Sequence, residues 1–91
     1  MALSFYFVNK GFTQEKYEEA IKQLEAAGAE APEGRTYHAA LETNGEISVF
    51  DIWESQEAFE AFGPTLMPIL TGLGVEVGEP MVAPVHNVIV G

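Results

Sequence analysis

The distribution of apolar and polar positions along the chain first predicts a strand and then an amphipathic helix. The segment Leu3–Val8 is rich in aromatic residues and ends at the turn cluster 9–11, which is typical of a strand followed by a loop. Thr13 then suits a helix N-cap. Apolar residues recur three and four positions apart from there to Gly28, which indicates a helix of about four turns that ends at a glycine.

A hairpin is predicted in the middle of the chain. The pair Asn44-Gly45 lies between two β-patterned runs, Arg35–Glu42 and Glu46–Trp53. A type I′ turn needs positive φ at both central residues, and an Asn-Gly pair meets this need well. The spacing therefore predicts a two-residue loop in which Thr43 faces Glu46 across the hairpin.

The register of this hairpin brings chemistry-bearing side chains together. It places His38 opposite Asp51 and Thr36 opposite Trp53, all on one face by the two-residue period of a strand. A carboxylate orients a neighbouring imidazole and favours its protonated form, so His38 with Asp51 is a candidate general acid or base. The alternative is a structural cross-strand pair, and structural pairs outnumber catalytic ones.

The remainder of the chain predicts a second helix and a last strand. Ser55 suits the N-cap of this helix, which extends to Leu73 on its apolar pattern. Pro64 and Pro68 are expected to kink or split it, since each proline removes one helical donor. Val85–Val90 is the predicted last strand, and two preceding prolines limit the segment before it to an edge strand or an extended arm.

The element order βαββαβ is that of a ferredoxin-like α+β fold. Right-handed crossovers then predict a four-stranded antiparallel sheet in the order 4-1-3-2, with both helices on one face. Residues 1–91 form a single domain, because 91 residues leave no room for a second core. Both faces of the hairpin carry large apolar side chains and the helices cover only one, so the uncovered face predicts a homodimer.

Composition narrows the range of partners. The chain has 14 acidic and four basic residues and a formal charge of −10, which argues against a nucleic-acid partner or an anionic membrane surface. It has no cysteine, and no apolar run approaches the roughly 18 residues that span a bilayer, so we expect a cytoplasmic protein. Within one chain the predicted order argues against a metal site from His38 and His86, because it places their strands at opposite edges, and only an arrangement across a dimer would bring the two together. No cofactor motif is present, so no metal or cofactor is predicted.

The segment from Val49 to Phe59 resembles a signature of the dimeric α+β barrel superfamily, which includes small antibiotic-biosynthesis-monooxygenase-like proteins. It has a strand that ends in Trp53, followed by Glu-Ser-Gln-Glu-Ala-Phe at the start of the second helix. The resemblance implies a dimeric α+β barrel. Its members include cofactor-free oxygenases of aromatic compounds, haem-degrading enzymes and lactone isomerases. Asn9 and Trp53 match two working residues of the haem-degrading branch, but the helix lacks the histidine of that set, which argues against haem degradation.

Two functions follow as expectations. The first is binding of a small hydrophobic molecule in a pocket between sheet and helices, with Trp53, Asn9 and Tyr6 as ligand contacts. The alternative is a cofactor-independent monooxygenase-like or isomerase-like enzyme acting on an aromatic or ketone-bearing substrate. In that case His38 is the acid or base, Asp51 orients it and Trp53 stacks on the substrate.

Two further features bear on the ligand. Tyr6, Tyr17 and Tyr37 are candidate phenol donors to a carbonyl group, although aromatic packing with the hydroxyl at the surface is the simpler explanation for each. The scarcity of lysine and arginine removes the usual means of binding an anionic substrate.

Overall fold

A computed structural model describes residues 2–91 and contains six elements in the order βαββαβ. The strands are β1 (Leu3–Val8), β2 (Arg35–Thr43), β3 (Glu46–Trp53) and β4 (Met81–Pro84), and the helices are α1 (Gln14–Ala26) and α2 (Gln56–Gly72). All neighbouring strands are antiparallel, in the order β2-β3-β1-β4. The predicted ferredoxin-like fold and sheet order are therefore confirmed. No helix within residues 2–91 is long and apolar enough to cross a membrane.

Both helices begin where the capping residues predict. The Thr13 hydroxyl accepts a hydrogen bond from the Lys16 backbone N–H at 3.3 Å. The Ser55 hydroxyl accepts one from the Ala58 N–H at 3.1 Å. Each cap satisfies one of the N–H groups that the first helical turn leaves without a partner.

Helix α2 is continuous through Pro64 and Pro68, so the prediction that the prolines could split it is wrong. Each proline removes one hydrogen bond to the carbonyl group four residues earlier, on Glu60 and Pro64 respectively. Glu60, Pro64 and Pro68 are all exposed, so water can reach the freed carbonyl groups. The buried residues Phe62 and Leu70 lie on the opposite side of the helix and hold it against the sheet.

The hairpin has the predicted turn, with φ of 52° at Asn44 and 84° at Gly45. Its register matches the prediction from Thr43–Glu46 as far as the pairs of His38 with Asp51 and Tyr37 with Ile52. A bulge between Arg35 and Tyr37 then shifts the pairing, and Arg35 lies opposite Trp53. The prediction that Thr36 faces Trp53 is therefore wrong.

The last strand is Met81–Pro84 instead of the predicted Val85–Val90, so His86 and Asn87 lie outside any strand. Glu76 and Lys10 exchange two backbone hydrogen bonds of 3.2 Å, which bring the chain to the edge of β1 soon after α2. Pairing with β1 is then complete by Pro84. An edge strand tolerates this proline, because one side of the strand needs no donor.

The two helices cover one face of the sheet and form two clusters of buried side chains. One cluster contains Phe12, Ala20, Ile47, Leu70 and Val75. The other contains Phe5, Leu24, Trp53 and Phe62. The half-buried residues Leu66 and Ile69 of α2 pack against both clusters.

The opposite side, here called the open face, is not covered by a helix. It presents Tyr6, Val8, Tyr37, Leu41, Phe50 and Met81, as their strand positions and pairings place them. The C-terminal residues 87–91 lie beside Tyr37, Phe50 and Ile52 on this face. Large apolar side chains nevertheless remain exposed there, including Val8, Leu41 and Met81.

Candidate functional site

A cavity of about 210 Å³ lies between the covered face of the sheet and the two helices. Its wall is largely apolar and includes Phe7, Phe59, Phe62, Leu66 and Trp53. The volume is below the range of roughly 300–1,000 Å³ that is usual for drug-sized ligands. It exceeds the cavity of about 150 Å³ that suffices for benzene in another protein. The cavity therefore has room for a molecule of one or two rings.

Three polar side chains at the cavity form a continuous chain of hydrogen bonds. His38 Nδ1 lies 2.5 Å from Asp51 Oδ1, and His38 Nε2 lies 2.7 Å from the Tyr17 hydroxyl. Because a carboxylate only accepts, Nδ1 carries a hydrogen, and Nε2 of the neutral ring then accepts the Tyr17 O–H. All three residues line the cavity, so this arrangement can take up or supply a proton there.

The elements that carry these residues explain why they meet. The hairpin register places His38 on β2 directly opposite Asp51 on β3, as predicted. Helix α1 packs on the same face of the sheet and brings Tyr17 to the imidazole, with the planes of the two rings nearly parallel at 3°. From the sequence, Tyr17 was one of three candidate phenol donors and a member of an apolar helix stripe. One feature distinguishes Tyr17 from the other two tyrosines: the apolar stripe of α1 packs on the face of the sheet that carries His38.

Burial and charge act on the Tyr17 hydroxyl together. Removal from water raises the pKa of Tyr17, the Arg35 guanidinium opposes this change, and the Asp51 carboxylate adds to it. The net direction is upward. Tyr17 therefore keeps its hydrogen at neutral pH and remains a donor within the chain of hydrogen bonds.

Trp53 lines the cavity and is fully buried. Its ring packs against Phe59 and Phe62, with centroid separations of 5.7 Å and 5.5 Å. Its Nε1–H has no hydrogen-bond partner among residues 2–91. A buried donor without an acceptor costs about 1–3 kcal/mol, so this indole N–H is an unsatisfied donor on a residue of the cavity wall.

The other two predicted ligand contacts lie in different surroundings. Asn9 is buried at the end of β1 and lines the cavity, and its side-chain oxygen accepts a hydrogen bond from the Gly78 N–H at 3.2 Å. Tyr6 points to the open face, as its pairing with Phe50 requires, and does not line the cavity. The structure thus brings together Trp53, Asn9, His38 and Asp51 but not Tyr6.

Arg35 also lines the cavity, which the sequence analysis did not predict. It reaches this wall because the β2 bulge sets it opposite Trp53. Glu60 on α2 is a second charged residue of the wall. Within residues 2–91, no group of three or more His, Asp or Glu side chains is arranged to hold a metal ion.

The raised pKa of Tyr17 predicts a loss of stability in alkali. An unfolded tyrosine ionises near pH 10, whereas folded Tyr17 ionises at higher pH. The free energy of unfolding should therefore fall as the pH rises above 10, because the unfolded chain then binds fewer protons. Urea unfolding between pH 8 and pH 11 measures this slope. Tyr17→Phe should make it shallower, and equal slopes in the two proteins would contradict the prediction.

Comparison with known proteins gives matches among solved structures only. No family model matches the sequence, and no curated protein matches it significantly. A protein from Chloroflexus aurantiacus J-10-fl, named for the antibiotic biosynthesis monooxygenases, has a TM-score of 0.65 and 16% identity over 100% of both chains. A structural-genomics protein named YJCS has a TM-score of 0.64 and 18% identity, over 92% of this chain and 99% of its own.

The third comparison is with SnoaB, a cofactor-independent oxygenase from Streptomyces nogalater. Its TM-score is 0.61, with 18% identity over 97% of this chain and 94% of its own. At such low identity these matches establish the fold and leave the activity open. The chain therefore shares its fold with antibiotic-biosynthesis-monooxygenase-like proteins, as its resemblance to them implied.

Proposed function

We propose that the protein binds a small aromatic molecule that carries an oxygen acceptor, in the cavity between sheet and helices. The observation that carries this proposal is the buried Trp53 N–H, which has no acceptor among residues 2–91 and belongs to a residue of the cavity wall. Nearly all buried donors in proteins have a partner. A ligand carbonyl oxygen that reaches the indole would provide one.

The aromatic side chains of the wall support an aromatic ligand. The Phe59 ring lies 5.8 Å from that of Phe7 and 5.7 Å from that of Trp53, so one ligand ring would meet several others. Aromatic rings prefer such neighbours in edge-to-face or offset geometry, which adds about 0.5–1.5 kcal/mol per pair beyond area burial. The 210 Å³ volume limits the ligand to one or two rings.

Filling the cavity should prevent binding. The probe is 1-indanone, a two-ring aromatic ketone, and the fluorescence of Trp53, the only tryptophan, reports its binding. Leu66→Phe adds volume at the cavity wall and should weaken binding by about tenfold or more, or about 1.4 kcal/mol.

The matched control is Leu73→Phe, the same substitution on a half-buried residue that follows α2 and does not line the cavity. It should bind 1-indanone as the wild type does. Equal weakening by both substitutions would mean that the ketone does not occupy the cavity.

A second candidate function is a cofactor-independent enzyme on an aromatic ketone. The observation in its favour is the hydrogen-bonded chain of Tyr17, His38 and Asp51 at the cavity wall. In this proposal Tyr17 and His38 exchange a proton with the ligand, and Asp51 orients the imidazole and stabilises its charged form. The name of SnoaB as a cofactor-independent oxygenase is consistent with such chemistry on this fold.

Exchange of the α-hydrogens of 1-indanone in heavy water tests this second candidate by NMR. The wild type should accelerate the exchange, since removal of an α-hydrogen requires a base at the ligand. His38→Ala and Asp51→Asn should each lower the rate by roughly 10²–10⁴-fold while the ketone still binds. Unchanged exchange in both variants would contradict an acid–base role for the pair.

We also propose that the protein is a homodimer through its open face. Val8, Leu41 and Met81 are exposed there, as are Ile89 and Val90 of the C-terminal segment. An exposed apolar patch of this kind is typical of an interface, and a two-fold dimer is the commonest way to bury it. The dimer that the sequence resemblance implies is of the same kind.

Sedimentation should give the wild type twice the 9.9 kDa mass of the chain. Leu41→Glu places a charge on the open face and should shift the protein to a monomer, because a buried unpaired carboxylate is costly. Val82→Glu is the control, since Val82 is 48% exposed, close to the 46% of Leu41, but lies on the other face of the sheet. A wild-type monomer, or equal effects of both substitutions, would contradict the proposal.

A further inference from the structure

The single arginine of the chain, Arg35, lies half-buried at the cavity without a carboxylate partner. Its guanidinium donates to the neutral backbone oxygen of Glu30 at 3.1 Å. The chain has 14 Asp and Glu residues, yet within residues 2–91 the structure pairs none of them with Arg35. Arginine has five N–H donors. The protein therefore supplies this cation with a neutral acceptor and with no carboxylate.

The backbone is irregular at the point that brings Arg35 to the cavity. Continued regular pairing would set the neutral Thr36 opposite Trp53, whereas the bulge sets Arg35 there. The Thr36 hydroxyl instead donates to the Ile52 backbone oxygen at 3.3 Å, which helps hold the bulge. Bulges re-aim side chains and are common beside active sites. The bulge thus places the only arginine of an acidic chain on the wall of its cavity.

The other charged groups at the cavity already have partners. Asp51 is bonded to His38, and Glu60, which is exposed, accepts from the Gln56 side chain at 2.9 Å. Tyr17 is uncharged at neutral pH, since burial raises its pKa. Arg35 is therefore the one Lys or Arg side chain at the cavity, and within residues 2–91 it has no carboxylate partner.

We infer that the ligand is an aromatic carboxylate, whose carboxylate group binds Arg35 while its ring occupies the apolar part of the cavity. The planar guanidinium matches a carboxylate in a two-bond geometry. This inference rests on the proposed binding function and names its ligand class. It also revises the expectation that the scarcity of basic residues leaves no means of binding an anion.

The test compares indane-1-carboxylate with indane-1-carboxamide by calorimetry, because the two have nearly the same shape and differ in charge. The wild type should bind the carboxylate at least about tenfold more tightly. Arg35→Gln should abolish this preference and leave the affinity for the carboxamide within about twofold of the wild type. Lys22→Gln is the control, since it makes the same change in net charge at an exposed position on α1 that does not line the cavity.

The outcomes separate this inference from the proposed function. Equal affinities of the wild type for both compounds, or a preference that persists in Arg35→Gln, would overturn the inference and leave the cavity as a binding site. If neither compound binds while 1-indanone still does, the inference is overturned and the proposed function stands. Failure of all three to bind would overturn the proposed function together with the inference. If Lys22→Gln also loses the preference for the carboxylate, that preference depends on net charge, and the role of Arg35 is overturned.

Discussion

The positive φ angles of Asn44 and Gly45 are the constraint on which the candidate site depends. They form a turn whose twist matches the flanking strands and leaves only one pairing register. A slip of one residue would turn His38 away from Asp51 and move its side chain to the open face. The same slip would carry apolar residues of the hairpin out of the core. The apolar core and the polar site are therefore set by the same two turn residues.

The polar site is stable inside an apolar cavity because its members satisfy one another. Asp51 is buried, and a buried carboxylate without a partner would be costly. His38 supplies the donor it needs, and Tyr17 completes the bonding of the imidazole from the other side. A network in which each polar atom has a partner costs far less than one that is half satisfied, and it fixes the orientation of the ring. The same hydrogen bond also connects α1 to the sheet.

Features that depend on neighbouring residues in the sequence could be predicted, and those that depend on tertiary contacts could not. The two helix caps and the Asn44-Gly45 turn are local, and the structure confirms them. The position of β4 depends on the pairing of Glu76 with Lys10, which no local pattern reveals. In the same way, the contact of Tyr17 with His38 requires the docking of α1 on the sheet. The sequence alone therefore did not distinguish Tyr17 from Tyr6 and Tyr37.

The bulge in β2 explains why the position of Arg35 at the cavity could not be predicted. Just before it, Gly34 has a φ of 91°, and its backbone oxygen accepts from the Glu54 N–H at 2.8 Å. A Cβ atom at this position would lie 2.5 Å from the Ala58 Cβ, so only glycine lets the chain pass so close to α2. The irregular pairing of Arg35 is thus associated with contact between the hairpin and a helix that is distant in sequence. The alternation of apolar and polar residues along a strand contains no information about such a contact.

Two groups that lack a usual partner among residues 2–91 lie directly opposite each other on neighbouring strands. Trp53 has a buried N–H without an acceptor, and Arg35, directly opposite it, has a guanidinium without a carboxylate among residues 2–91. The unpartnered indole N–H costs stability that a different side chain would avoid, and natural sequences usually tolerate such a cost where a site requires it. One is a donor of a hydrogen bond and the other is a cation with several donors, so a single ligand with anionic oxygen atoms is complementary to both. Because both residues line one cavity, we propose a binding function there and not at the exposed acidic surface.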